Sequence, residues 1–476
     1  MAEGIAKSLA KNSLWLALGE IINGILMFFI TIFLARYLGI EGYGKLMFAL
    51  SFVTLFIIPL DLGLSSLITK ELAGEKEKTK KYLDNLVLIR FVLGIIVFLI
   101  IALAVQFLGK ESDIKNLVYL LGIWTVFQTN TQFFQAIFRA HEKMFFEAWT
   151  RIFHALILAS LSLCFIWYQL DIIYFGWAYC IAAMATLFLA VFFIWKKFSS
   201  FSLKFDIVFL KKIFKKSWPF ALSLLFVSIY YYIDSVMLGI MRNNNEVGLY
   251  NAAYKLIIFI LIMGSVINRS TYPVISRLYK NSLNKLQEFL ENYSRIMFII
   301  GVPISFGGLV LASPIINLIY GEIFKESVLP FQILIFSTAL IYVSTIYAHS
   351  LQIGNKQKTH LLGMGLGALI NIILNIILIP YYGLIAAAIT TLATEFFILI
   401  FMYVNFSKII KLPVLKYVYK PLIASLCMFL LLYFLGQVNL FLLLILGSLC
   451  YIIILFLIKG ISRQDLLVIN TLFKRK

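Results

Sequence analysis

Charged residues are scarce: Asp, Glu, Lys and Arg together make up 13% of the 476 residues, against 62% hydrophobic. Soluble domains carry about a quarter charged residues, so this composition excludes a soluble globular chain. Cysteine is rare as well. The four, Cys164, Cys180, Cys427 and Cys450, all fall inside long apolar runs, where they read as small buried side chains. Neither a disulfide framework nor a metal site is expected from them. Long polar connections are also missing. The longest run to about 20 to 25 residues, too short for the domain in which a membrane glycosyltransferase or polymerase would hold metal and nucleotide sugar, so no enzyme is expected. The sequence shows no P-loop, Gly-rich dinucleotide fingerprint or metal-ligand cluster, which argues against direct ATP hydrolysis.

What the chain does hold is apolar sequence in spanning lengths. A bilayer core needs about 20 apolar residues per helix, and fourteen such stretches occur, separated by short polar turns. They predict an all-α polytopic membrane protein with 14 transmembrane helices, at 13–35, 45–68, 83–108, 116–138, 152–169, 172–195, 217–240, 249–270, 294–316, 328–350, 360–380, 383–405, 418–436 and 439–458.

Acidic residues number 22 against 41 Lys and Arg, a formal net charge of +19. Their placement argues against nucleic acid as the partner. Counting Lys45, Arg295 and Lys420, which open their spans, with the loops before them, 32 of the 41 fall to the termini and every second loop, 6 to the opposite loops and 3 within the spans. By the positive-inside rule the rich side is cytoplasmic, which predicts a multi-pass protein of the cytoplasmic membrane with both termini inside. The first apolar stretch is long enough to span and lacks a small-residue cleavage site, so no cleavable signal peptide is expected.

Two basic stretches, FDIVFLKKIFKK at 205–216 and DLLVINTLFKRK at 465–476, interleave apolar and Lys residues as helices lying on anionic lipid do. The first falls where a linker between two halves is expected. Internal repetition supports that division. Gly44 in YLGIEGYGKL and Gly248 in NNNEVGLYNA are 204 apart, and Gly176 in YFGWAYCIAAMAT and Gly383 in YYGLIAAAITTLAT are 207 apart. Two six-helix lobes in the same orientation follow: an N-lobe over 1–200, an interfacial linker over 201–216, a C-lobe over 217–410, and two further spans with a tail over 411–476.

The stretches LARYLGIEGYGKLMFALSF and LDLGLSSLITKELA in the first two spans, YYYIDSVMLGIMRNNNEVGLYNAAYKL across spans seven and eight, and NIILNIILIPYYGLIAAAITTLATE across eleven and twelve resemble the polysaccharide transport family of flippases. That family includes Wzx-type O-antigen flippases, within the multidrug/oligosaccharidyl-lipid/polysaccharide exporter superfamily. The resemblance runs over essentially the whole chain. It implies two six-helix lobes, as in the multidrug and toxin extrusion group, around a central cavity, and export of a lipid-linked oligosaccharide by alternating access. Such a protein would meet membrane lipids and polysaccharide assembly proteins as further partners.

Charges inside the spans are costly and mark sites. At about 1.5 Å of rise per residue, Glu20, Asp61 and Arg90 share one level, a candidate cluster. Span four carries Gln128, Gln132, Gln135 and Arg139 at spacings of four, three and four, which sets them along one helical face. That face is read either as glue between helices or as the lining of a wet cavity. Asp234 in VSIYYYIDSVMLGI and Lys255 fall at equal depth on either side of a tight turn, so they are expected to pair. Glu395 lies near mid-bilayer with no basic residue at its level, a candidate for coupling to Na⁺ or H⁺. Arg90, Lys255 and Arg269, the three basic residues inside spans, and Arg139 at the rim are the candidates for binding an anionic headgroup. No other cofactor is expected.

The reading this supports is a flippase for a polyprenyl pyrophosphate-linked oligosaccharide. The alternative is a Na⁺- or H⁺-coupled drug exporter of the multidrug and toxin extrusion group, which would use acids such as Glu20, Asp234 or Glu395 and would not need the cations.

Overall fold

In hydrocarbon, backbone N–H and C=O groups have no water to bond and must be satisfied within the protein. The computed structural model meets that demand with helices, and no strand occurs among its described residues. Those residues are 2–198, 202, 205–436 and 438–460, without the side chains of 2–11, 13, 263, 266, 269, 270, 414 and 415. The basic stretch at 465–476 lies outside the described residues.

Packing divides the chain into two compact units after Gly248. The first holds α1 (Ala2–Thr54), α2 (Ile57–Asp61), α3 (Leu64–Gly74), α4 (Thr79–Phe107), α5 (Ser112–Ala140), α6 (Met144–Trp167), α7 (Ile172–Lys197) and α8 (Ile207–Met241). The second begins within α9 (Asn244–Asn281) and holds α10 (Leu283–Tyr320), α11 (Val328–Ile353), α12 (Gln357–Ser407), α13 (Val414–Phe434) and α14 (Leu440–Leu457).

Among the described residues, eleven stretches are long and apolar enough to cross a membrane. Two of them, Leu14–Asp61 and Gln357–Ser407, each hold two spans joined by a kink. The kinks fall at Gly39, φ 66°, and Gly383, φ 54°, where a residue with a Cβ would be strained in the left-handed region. The fourteenth span is α5, whose run of Gln128, Thr129, Asn130, Thr131, Gln132 and Gln135 makes it too polar to pass on composition alone. It is instead packed within the first unit against α1, α3, α4 and α7, so its polar face meets protein.

The stretch 205–216 does not form a separate helix. Its residues from Ile207 onward are the first turns of α8, and Leu210 and Ile213 are buried with Leu64, Leu67 and Ile68 of α3 and Leu83 and Leu86 of α4. Asp206 caps α8 by accepting from the Phe209 N–H at 3.0 Å. The apolar face expected to enter lipid is therefore used inside the first unit, while Ile207 and Val208 stay exposed.

Candidate functional site

The polar face of α5 opens onto a cavity of about 370 Å³ inside the first unit. Gln128, Gln132, Gln135 and Arg139 all line it, as their spacing along one face requires. Facing them are Asn23 of α1, Asp61 of α2, Ser65 of α3, Thr150, Arg151 and His154 of α6, Tyr179 and Thr186 of α7, and Leu224 of α8. At about 30 Å³ per molecule, such a space holds roughly a dozen waters or a headgroup of comparable size.

The charges of the cavity are organised by carboxylates. Oε1 of Glu147 accepts from Arg139 Nη1 at 2.7 Å and from Arg151 Nη2 at 2.8 Å. Glu147 itself is buried, whereas the two arginine side chains are 27% and 38% exposed, so the cations and not the anion are presented. Gln135 Nε2 donates to Thr150 Oγ1 at 3.0 Å, and that hydroxyl donates to the Glu147 carbonyl. Buried polar atoms without a hydrogen-bond partner among the described residues include Gln128 Oε1, Trp124 Nε1, His154 Nε2 and Arg151 Nε, all on residues that line the cavity, and Glu147 Oε2. The four on lining residues mark groups that a hydrated ligand or water can satisfy.

Of the level-matched trio, Asp61 and Arg90 meet: Arg90 Nη1 donates to Asp61 Oδ1 at 3.0 Å. Arg90 also donates through Nη2 to the Thr129 carbonyl at 2.7 Å and lies 5.0 Å from the centre of the Phe133 ring. Asp61 further accepts from Ser65 Oγ at 2.5 Å. The guanidinium is thus occupied by α2 and α5, and Asp61, not Arg90, lines the cavity. Glu20 is partly buried on α1 and is not among the lining residues.

Arg151, Glu147 and His154 were not singled out from sequence. The apolar run suggested a span beginning at 152, but α6 begins at Met144, which brings two more turns and their charges into the helix. The signal that would have found Glu147 and Arg151 is their spacing of four, an intrahelical pair with acid preceding base, whereas His154 lies inside the span expected at 152–169 and carries no such signal.

In the second unit, Glu395 is buried on α12, 2% exposed, and its Oε1 has no hydrogen-bond partner among the described residues. Its helix also carries a polar chain in which Thr390 donates to Asn375 at 2.5 Å and Asn375 to Asn371 at 3.1 Å. Lys255 is partly buried on α9 in this unit, and Asp234 is buried on α8 in the first. The side chain of Arg269 lies outside the described residues. A second cavity, of about 530 Å³, lies among α9, α10, α11, α13 and α14 and is lined almost wholly by apolar groups, among them Gly307, Phe331, Met428, Leu432 and Gly447.

Comparison with known proteins agrees with this architecture. The chain is 22% identical over 384 residues to a probable low-salt glycan biosynthesis flippase of Haloferax volcanii, covering 80% of each. It is 32% identical over 192 residues to a candidate O-antigen transporter of Shigella dysenteriae, 40% of this chain and 47% of that one. The solved structure of the lipid II flippase MurJ in an inward closed conformation superposes with a TM-score of 0.81 at 16% identity, over 95% of this chain and 100% of that one. The MatE family model matches residues 219–377. The family model of polysaccharide biosynthesis proteins matches residues 9–279, more than half of the sequence, and the chain belongs to that family.

Proposed function

We propose that the chain is a flippase that moves a polyprenyl pyrophosphate-linked oligosaccharide across the cytoplasmic membrane by alternating access, for export of a cell-surface polysaccharide or glycan. The observation that carries this reading is the cavity in the first unit, where Arg139 and Arg151 stand among amides and hydroxyls inside a bundle that otherwise meets lipid. Guanidinium forks match phosphate oxygens two at a time, and Gln, Asn and Thr suit the hydroxyls of sugars. The apolar cavity of the second unit has the complementary chemistry for a polyprenyl chain. The relatives named as a glycan biosynthesis flippase and a lipid II flippase support the same class of substrate. Membrane lipids surround the chain, and polysaccharide assembly proteins would receive the sugar at the outer face. No bond is made or broken in this reading, so no catalytic residue is assigned.

Glu395 is the candidate coupling residue, because it is a buried acid with an unsatisfied oxygen on α12. Transport by the Glu395→Gln variant then loses its response to a pH or Na⁺ gradient; an unchanged response would make Glu395 a helix-packing group.

The second reading, a cation-coupled drug exporter, is favoured by the MatE match over 219–377. One assay separates the two. Protein reconstituted in vesicles is given a lipid-pyrophosphate sugar or a cationic dye: movement of the first alone supports the flippase, and movement of the dye alone overturns it.

A further inference from the structure

Docking of α8 uses one of its faces and leaves another. Leu210, Ile213 and Ser217 are buried against the first unit. On the opposite side Val208, Lys211, Lys215 and Trp218 follow at spacings of three, four and three, which sets them within an arc of about 80°. All four are exposed, Val208 by 76% and Trp218 by 65%. Lys211 and Lys215 form no ion pair among the described residues, because the acids that α8 meets hold other lysines: Glu71 accepts from Lys216, and Asp206 pairs with Lys81 at 3.5 Å.

Water suits the two lysines but not Val208 and Trp218, and lipid tails suit the apolar pair but not the ammonium groups. The headgroup layer of a bilayer suits both. Along the helix axis Lys215 lies about 4.5 Å and Lys211 about 10 Å beyond Trp218, and the headgroup layer of one leaflet is about 5 to 7 Å deep. With Trp218 at the edge of the hydrocarbon, the flexible lysine stems carry both ammonium groups to the phosphates. Val208, a further turn out, meets the same layer where these turns incline toward it, and Pro219, which offers no N–H to the Lys215 carbonyl, is where α8 can bend.

We infer that Val208, Lys211, Lys215 and Trp218 form a binding site for an anionic phospholipid, with the headgroup phosphate between the two ammonium groups and the glycerol and acyl end against Trp218. Residues four apart on a helix have Cβ atoms about 6 Å apart, near enough for both lysines to share one phosphate. A zwitterionic lipid brings its own ammonium group, which repels the lysines, so the site selects headgroups of net negative charge. None of the four residues lines the cavity of the first unit, which makes this lipid separate from any that is transported. The stripe exists only while these turns are helical and docked on α3 and α4, so the bound lipid stabilises that docking.

The test uses the full chain in nanodiscs of phosphatidylcholine, with phosphatidylglycerol added as the probe. Amide exchange over 207–216 reports occupancy, because a lipid held by the docked helix slows its opening. In the mixed discs wild type should exchange about five- to thirtyfold more slowly than Lys211→Gln/Lys215→Gln, the attraction of one or two lysines for a headgroup; in phosphatidylcholine alone the two should agree. Comparison within the same discs cancels the lower pH at an anionic surface. Exposed lysines without partners can be replaced by Gln, itself a good helix former, without loss of the fold. Lys212→Gln, off the stripe, should behave as wild type. Equal exchange by wild type and the double variant in the mixed discs overturns the inference. A loss in Lys212→Gln as large as in the double variant overturns it as well, since that leaves a diffuse charge and no site. Equal slowing by inorganic phosphate in phosphatidylcholine discs would assign the stripe to a free anion and refute the lipid.

Discussion

Arg90 and Asp61 face each other at 3.0 Å with side chains 1% and 3% exposed, the most deeply buried ion pair among those formed by the described residues. Two helical breaks frame it: α1 ends at Thr54 before α2 begins at Ile57, and α2 ends at Asp61, where Leu62 takes φ 49° before α3 begins. The pair therefore fixes α4 to a short, interrupted element that intrahelical bonding alone would hold poorly. Removing one partner leaves a buried charge uncompensated, at a cost of about 3 to 5 kcal/mol. Arg90→Met and Asp61→Asn should each lower the melting temperature in detergent, and the double variant should melt above either single one. Additive losses would show that the two residues do not stabilise each other.

Glu71 ties α3 to α8 by accepting from Lys216, and to α4 by accepting from Tyr82. Burial pushes its carboxyl up, but the hydrogen bonds from Lys216 and Tyr82 outweigh that and hold it below the ordinary value of 4.5. An acid whose value is lower in the folded state stabilises above its unfolded value and loses that contribution as pH falls through the folded one. The docking of α8 should accordingly weaken only below pH 4.5. With Lys216 half in solvent, the contribution is about 1 kcal/mol or less. Glu71→Gln should speed amide exchange over 207–216 by about fivefold at neutral pH, and wild type should approach the variant on acidification. With each rate referred to the intrinsic exchange rate at the same pH, a fivefold difference in protection between wild type and variant that persisted well below pH 4.5 would contradict the assignment.

Spans were legible in the sequence because lipid imposes one requirement, a long apolar helix, on nearly every element. The stripe of Gln128, Gln132, Gln135 and Arg139 was legible for the same reason: helical spacing alone puts these residues on one face. What hydropathy does not encode is where a helix begins once charges enter it. Glu147 and Arg151 look like loop residues until α6 is seen to start at Met144, and the turns at 207–216 look like a surface helix until α3 and α4 cover Leu210 and Ile213. Depth matching brought Asp61 to Arg90 but did not foresee that Thr129 would take a further donor of the guanidinium. Depth is set by rise per residue, whereas the choice of partner depends on rotation about the helix axis.

The partition of basic residues, 32 to 6, predicts inward termini, and cysteine labelling tests that orientation. Asn244 opens α9 and Lys325 lies in the connector Glu322–Ser327 before α11, whereas Lys78 precedes α4 and Lys211 lies in the first turns of α8. With inward termini, single cysteines at 244 and 325 react with an impermeant thiol reagent from outside intact cells, and those at 78 and 211 do not. Labelling of positions 78 and 244 from one side would break the fourteen-span arrangement.

Gly307 offers a way to test the apolar cavity without disturbing its walls. A Cβ there would meet only the Met428 methyl group, at 3.4 Å, whereas at the neighbouring Gly308 it would come within 2.6 Å of Ile335. Gly307→Leu therefore projects a side chain into the cavity and removes a helical glycine, which costs roughly 1 kcal/mol against a good helix former, so the variant should melt no lower than wild type. Gly308→Leu is the contrasting change, with overpacking expected to cost about 1 to 3 kcal/mol. If a polyprenyl chain lodges beside Gly307, the leucine displaces three or four methylenes at about 0.8 kcal/mol each. That amounts to roughly a hundredfold in apparent affinity for the lipid-linked sugar. A water-soluble sugar pyrophosphate lacks the chain, so its binding should not change. Equal weakening of both ligands would show that the substitution acts through the fold, and unchanged affinity for both would remove this cavity from the lipid's path.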